Sequence, residues 1–319
     1  MRLDVFVSAH LAPEYSRSQV ARMIRAGLVT VSGARARASS GVRAGDRIDL
    51  AQPPVAQAHQ PASAAPDIEI LFSDDELIVV NKPAGMTVHP SPGHPDATLV
   101  DALLAKFPEL SAMAEPDGVL RPGIVHRLDK ETSGVMVVAR TPFARMALSN
   151  QFKARTVQKI YLAIVRGIIV RDRMTVSRGI GRHPVERKRM SVSSRAPRPA
   201  VSHLAVIDRF PSEDRESPGS TLLRVHPETG RTHQIRVHLA SVGHPCLADS
   251  LYGAGARSKP ESGFDRHALH ALALEIVHPR SGERLEFVAT LPDDFLRFLR
   301  SHGRLRLDRP EIRRWIASE

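Results

Sequence analysis

The chain has 319 residues, of which 45 are lysine or arginine and 34 aspartate or glutamate, giving a net charge of +11. That length accommodates more than one domain, and so cationic a chain draws polyanions, nucleic acid first among them. Its one cysteine, Cys246, excludes an internal disulfide and a cysteine-ligated structural zinc, no apolar run is long enough to span a bilayer, and the opening MRLDVFV lacks a signal-peptide pattern, so a cytoplasmic location is expected.

In chain order, Ser16 is placed to cap a helix, with Gln19 three residues later completing a capping box. Val20 and Ile24 give that helix an apolar stripe, Arg17, Arg22 and Arg25 fall on its solvent side, and Gly27 stops it. Strand-like runs at 28–31 and 45–50 complete a small αβ module over residues 1–50. Residues 51–66 are uncharged and rich in alanine, proline and glutamine, with no apolar face to bury, and read as a flexible linker. A larger domain over 67–300 then carries strands at 68–72, 77–80, 135–139, 160–165, 222–225 and 285–289, and helices at 98–107, 141–152 and from Thr232 to Val242. Strands and helices mix without a βαβ rhythm, which predicts an α+β fold. Residues 211–219 read as an exposed loop, and 301–319 as an arginine-rich C-terminal extension with a short helix after Asp308.

The densest candidate chemistry lies in RPGIVHRLDKETSG at 121–134, a loop leading into a buried strand. Asp129 has Arg127 and Lys130 close in sequence, and such cations keep a carboxylate ionised for work as a nucleophile or base. On the residues alone, a turn aspartate in a surface salt-bridge cluster fits better. In TGRTHQIRVHLASVG at 229–243, Arg231 falls at the N-terminal edge of the expected helix, where it can meet a phosphate or a carboxylate. His233 and His238 are five apart, which on a helix separates them and speaks against a shared metal. Lys82, in the turn NKPAG at 81–85, is a candidate phosphate contact. Tyr161, on the strand KIYLAIV, offers a ring to stack on an extruded base or a hydroxyl to move a proton, and equally fits a core tyrosine. The basic run at 182–189, with Arg187 and Lys188, suits an RNA backbone.

Five segments in order, NKPAG, HRLDKETSG, KIYLAIV, GRTHQIRVHL and HALHALALEIVHP, make the chain resemble the RluA family of pseudouridine synthases over nearly its whole length. The run SRSQVARMIRAGLVTVSG at 16–33 is similar to an RNA-binding module first described in a small-subunit ribosomal protein. The resemblance implies a catalytic domain built on a mixed, mainly antiparallel sheet flanked by helices, with an active cleft across its middle. It makes Asp129 the essential catalytic residue, Tyr161 its partner at the base, Arg231 the arginine that pairs with Asp129, and Arg127 the residue that displaces the target base. No cofactor and no metal are expected. IGRHPVERKRMSV at 180–192 and VHPSPGHPD at 88–96 look most like the branch acting on large-subunit ribosomal RNA. The expected partner is therefore structured RNA, ribosomal RNA above all, met free or in an assembling large subunit by a monomer. Transfer RNA as substrate, and a non-catalytic RNA-binding or ribosome-assembly role, are the competing expectations.

Overall fold

The computed structural model describes residues 1–11, 15, 17–51, 65–90, 96–113, 122–186, 188–212, 218–253 and 263–302. Ser16, most of the expected linker, Arg187, the middle of the 211–219 loop and the tail beyond His302 lie outside the described residues.

The N-terminal unit packs two helices, α1 (Leu3–His10) and α2 (Arg17–Ala26), on three short strands, β1 (Val29–Val31), β2 (Ala34–Arg35) and β3 (Ile48–Leu50), paired antiparallel in the order β2-β1-β3. Leu3, Val7, Val20, Met23, Ile24 and Val29 form its core, so the stripe on α2 does what its spacing predicts. The chain leaves α2 through Gly27 at φ 79°, and the Leu28 N–H reaches back to the Met23 carbonyl at 3.0 Å, a glycine-closed helix end. Helix α1 was not among the expected elements. Its valines favour strand locally, and packing against α2 decides otherwise.

The larger unit continues with β4 (Glu69–Ser73), β5 (Leu77–Lys82), α3 (Leu99–Lys106), a 3-10 turn (Pro108–Met113), β6 (Ser133–Ala139), α4 (Pro142–Ala154), β7 (Gln158–Arg166), β8 (Arg173–Ser177), β9 (Gly181–Arg182), β10 (Met190–Ser191), β11 (Val201–Phe210), β12 (Ser220–Pro227), α5 (Gln234–Ser241), β13 (Leu269–Val277), β14 (Arg284–Val288) and α6 (Asp293–Ser301). Local signals fix several ends: Thr98 caps α3 in a reciprocal box with Asp101, and Thr141 caps α4 ahead of Pro142.

Among the described residues, nine strands form one sheet in the order β4-β5-β6-β13-β7-β12-β11-β8, with β14 pairing the later part of β13 on the side where β6 meets its start. Every pairing in it is antiparallel except β13 with β6. The α+β, mainly antiparallel architecture is therefore as expected. The separate hairpin β9–β10 stands outside the sheet. Strand β13 is buried along nearly all of LHALALEIV, and although Leu272, Leu274 and Ile276 alternate as in a strand, the alanines between and before them have little strand preference. It passes between β6 and β7, and so joins the two halves of the domain at the place where the loop of Asp129 ends. Among the described residues no helix is long and apolar enough to cross a membrane.

Candidate active site

The loop before β6 is held by contacts from four directions. Lys82, at the end of β5, is fully buried, and its Nζ donates to the carbonyls of Pro83 (2.7 Å), Met86 (2.9 Å) and Lys130 (3.1 Å). Burial pushes its pKa down to about 7, against a partial restoring pull from Glu131. The expected phosphate contact is thus corrected: Lys82 has no face toward solvent and braces the loop from below. Arg266 donates to the Glu131 carbonyl at 2.8 Å while pairing with Asp294 at 2.7 Å. Thr132 bonds His267 and Ser133 bonds His270, at 2.8 and 2.9 Å. Burial holds both imidazoles neutral, with pKa values pushed down to about 3. His126 accepts the Val137 N–H at 3.1 Å and stacks on Phe152. Gly134, at φ 118°, lies against the Ala271 backbone so closely that any Cβ would collide with it.

On this support the Asp129 carboxylate, 19% exposed, accepts a hydrogen bond on Oδ2 from Arg236 Nη1 at 3.0 Å. Arg236 is 7% exposed and makes a second, two-pronged pair with the fully buried Asp249, at 2.7 and 2.8 Å. Burial acts to raise the Asp129 pKa, and the surrounding positive field, with the charged Arg236 hydrogen-bonded to it, outweighs that, so the group sits below its ordinary range and ionised. His233 Nε2 lies 3.9 Å from Asp129 Oδ1.

The partner of Asp129 is therefore Arg236, and the expected pairing with Arg231 is corrected. Helix α5 begins at Gln234, later than expected, after a left-handed turn at His233 (φ 54°). Gln234 pins that turn by accepting from the Thr229 hydroxyl at 2.6 Å and the Arg231 N–H at 3.1 Å. Arg231 lies before the turn, and its Nε donates outward to the Pro199 carbonyl at 3.1 Å. Arg236 lies within the helix and points into the floor.

Above Asp129 opens a cleft of about 470 Å³, walled by Tyr161, Phe152 and Leu269 and rimmed by Arg127, Lys153, Arg155 and Arg231. That is within the usual size of a small-molecule pocket. Arg127 is exposed beside Asp129, on the rim. Burial, then the Asp129 charge, raises the Tyr161 phenol above its ordinary range and keeps it protonated. Lys159, also lining the cleft, is lowered to about 8 by burial and by Arg155. Elsewhere, Arg17 and Arg25 are exposed on α2, with Arg17 paired to Asp4 at 2.9 Å, and Arg22 is half-buried on the same helix. Lys188 is exposed in the turn between β9 and β10. His233 and His238 do not converge, since His233 bonds Tyr252 at 2.8 Å and His238 bonds Ser202 at 2.9 Å.

Against known proteins, residues 76–241 match the RNA pseudouridylate synthase family and residues 1–48 match the S4 domain. A protein of Pseudomonas aeruginosa named ribosomal large subunit pseudouridine synthase D is 42% identical over 92% of this chain and 90% of its own. The chain belongs to the RNA pseudouridylate synthase family. A Nitrosomonas europaea protein of the same name is 43% identical to this synthase, over 94% of the chain and 84% of the relative. Among solved structures, human RNA pseudouridylate synthase domain containing 1 superposes with a TM-score of 0.58 at 30% identity, covering 74% of this synthase and 87% of the human chain. The chain is accordingly an isomerase acting on RNA, with an S4 domain ahead of its catalytic domain.

Sequence reasoning passed over Arg236, Asp249 and Tyr252. One signal was available for Arg236: it falls between Ile235 and Leu239 on the buried side of the helix, where an unpaired arginine is too costly to keep. Asp249 and Tyr252 sit in ADSLYG, where Asp249 Oδ1 accepts the Leu251 and Tyr252 N–H groups at 3.0 Å. Nothing in that short turn advertises a partner on α5.

Proposed function

We propose that the synthase converts specific uridines of large-subunit ribosomal RNA to pseudouridine with Asp129 as the catalytic carboxylate. The observation that carries the reading is the ionised Asp129 at the floor of a cation-rimmed cleft, held by an arginine that a second carboxylate fixes in turn. The relatives whose names specify the large ribosomal subunit support the choice of RNA.

The reaction breaks the bond between C1′ and N1, turns the uracil, joins C5 to C1′ and releases the C5 proton to N1, so atoms and electrons balance within the nucleoside. Two routes use the carboxylate: attack on C1′, or removal of a ribose proton to give a glycal. Either needs a charged, aimed oxygen in a site shielded from water, which the Arg236 pair supplies. Oδ2 is committed to Arg236, leaving Oδ1 toward the cleft. Arg127, exposed on the rim, takes the place of the uridine as it leaves its helix. The protonated Tyr161 packs on the flipped base and orients it. Arg231 and the other rim cations take flanking phosphates, Arg17, Arg22 and Arg25 of the S4 domain take a more distant stretch, and Lys188 adds the hairpin. The protein works as a cytoplasmic monomer on free RNA or on an assembling large subunit.

The test is pseudouridine mapping, by carbodiimide treatment and primer extension, in a deletion strain complemented with wild type or Asp129→Asn. Sites in large-subunit RNA should vanish on deletion, return with wild type and stay absent with the variant. Losses confined to transfer RNA would move the substrate there, and no loss in any RNA would favour a binding role without chemistry.

A further inference from the structure

Tyr252 touches both the floor of the cleft and the basic hairpin β9–β10. Its hydroxyl accepts the Met190 N–H at 2.9 Å and lies 2.8 Å from His233 Nδ1. The guanidinium of Arg189, from the hairpin, lies 5.5 Å from the ring centre of Tyr252, and that of Arg236, from the floor, 5.0 Å. The Tyr252 N–H bonds Asp249, the carboxylate that holds Arg236. One residue therefore meets two hairpin residues and, through its side chain and backbone N–H together, three of the groups around Asp129.

The hydrogen-bond inventory points to one arrangement of the protons. A phenol has one proton to give. The Met190 N–H donates to the Tyr252 oxygen, and His233 Nδ1, 2.8 Å away, is the acceptor that puts the phenolic proton to use. Burial lowers the His233 pKa and keeps the imidazole neutral, so with Nδ1 accepting, the ring proton sits on Nε2. Nε2 faces Asp129 Oδ1 at 3.9 Å, with the positive end of the ring dipole toward the carboxylate. The opposite tautomer would turn a lone pair on it. At that distance the imidazole steers Oδ1 without consuming the lone pair that reacts. His233 reaches this place through a left-handed backbone at φ 54°, a conformation that costs a non-glycine residue energy and that surrounding contacts must enforce.

We propose that His233 is a positioning residue for Asp129, held in its Nε2–H form by Tyr252, and that through Tyr252 the seating of RNA on the β9–β10 hairpin sets the aim of the reacting carboxylate. This rests on Asp129 being that carboxylate. The hairpin presents exposed Arg182 and Lys188, and its backbone at Met190 is the far end of the chain of contacts. RNA that displaces or settles the hairpin thus acts on the orientation of Asp129, not on its charge.

Tyr252→Phe keeps the ring and removes only the hydroxyl. In single-turnover reactions with saturating enzyme, Tyr252→Phe and His233→Gln should each slow pseudouridine formation about tenfold or more, with the RNA Kd within about twofold of wild type. Because one acts through the other, the double variant should be no slower than the slower single. Nitrogen-15 NMR of the histidines in the wild-type protein should show His233 as the Nε2–H tautomer, a readout that does not depend on any variant folding. A wild-type rate in Tyr252→Phe, effects that multiply in the double variant, or an Nδ1–H tautomer would each overturn the proposal. Asp129→Asn run in parallel separates the two failures: turnover there defeats the catalytic reading itself, whereas an inert Asp129→Asn beside an unimpaired Tyr252→Phe defeats only the relay.

Discussion

The floor and the rim of the cleft use charge in opposite ways. On the floor, Asp129, Arg236 and Asp249 are nearly or wholly buried and paired in a fixed geometry. On the rim, Arg127, Lys153 and Arg155 stand in solvent, and the Arg231 side chain donates to the Pro199 carbonyl. Buried charges that share partners act as a unit, and removing one strands the others. Exposed cations act singly, are screened by salt, and add their effects one at a time. In the proposed function chemistry belongs to the floor and the grip on RNA to the rim, and each substitution should report which of the two it touches.

The largest effect is expected at Asp129. Asp129→Asn removes the reacting oxygen and should lower the single-turnover rate by about three orders of magnitude or more, while filter binding finds RNA affinity near wild type. A rate within tenfold of wild type would put the chemistry elsewhere.

Next comes the brace beneath the loop. Lys82→Met leaves the Pro83, Met86 and Lys130 carbonyls without their shared donor. The variant should unfold at lower temperature, for a loss of about 2 kcal/mol. The loss also carries a pH signature. Lys82 is lowered to about 7 in the folded protein from its ordinary 10.5. Between those values the unfolded chain keeps a proton that the folded one gives up, so the wild type gains stability as pH rises through the window. Melting curves from pH 7 to 9 should show the gap between wild type and Lys82→Met widening, and a constant gap would mean that the buried amine keeps its proton.

The smallest effect is at the rim. Arg155→Ala should weaken RNA binding by a few fold and reduce the slope of log affinity against log salt by about one, leaving the rate at saturation unchanged. A fall in that rate with an unaltered salt slope would move Arg155 from the grip to the chemistry.

Much of this was legible in the sequence because it rests on local rules. The stripe on α2, the threonine caps of α3 and α4, and the short buried strands follow from spacing and capping alone. Asp129 was visible as an acid among cations in a glycine-bounded loop. The choice between two arginines five residues apart was legible only in the apolar neighbours of Arg236, and it was missed because it turns on the left-handed residue at His233 and on where α5 begins. Lys82 in a proline-glycine turn reads as exposed until the 130-region loop is laid over it. Asp249 and Tyr252 reach the site only through contacts across the chain, which no local pattern encodes. Strand β13 was missed although Leu272, Leu274 and Ile276 alternate, because its alanines weaken that signal and its neighbours on the sheet decide its conformation.

The two arginines provide the most direct test of the division between floor and rim. Arg236→Lys and Arg231→Lys should be compared side by side for single-turnover rate and RNA affinity. Lysine cannot keep the fork that joins Arg236 to Asp249 and Asp129, so Arg236→Lys should lose about a hundredfold or more in rate. Arg231→Lys should change the rate by no more than a few fold and show its effect in binding. The reverse order, with Arg231→Lys the slower enzyme, would contradict the pairing of Arg236 with Asp129 on which the account rests.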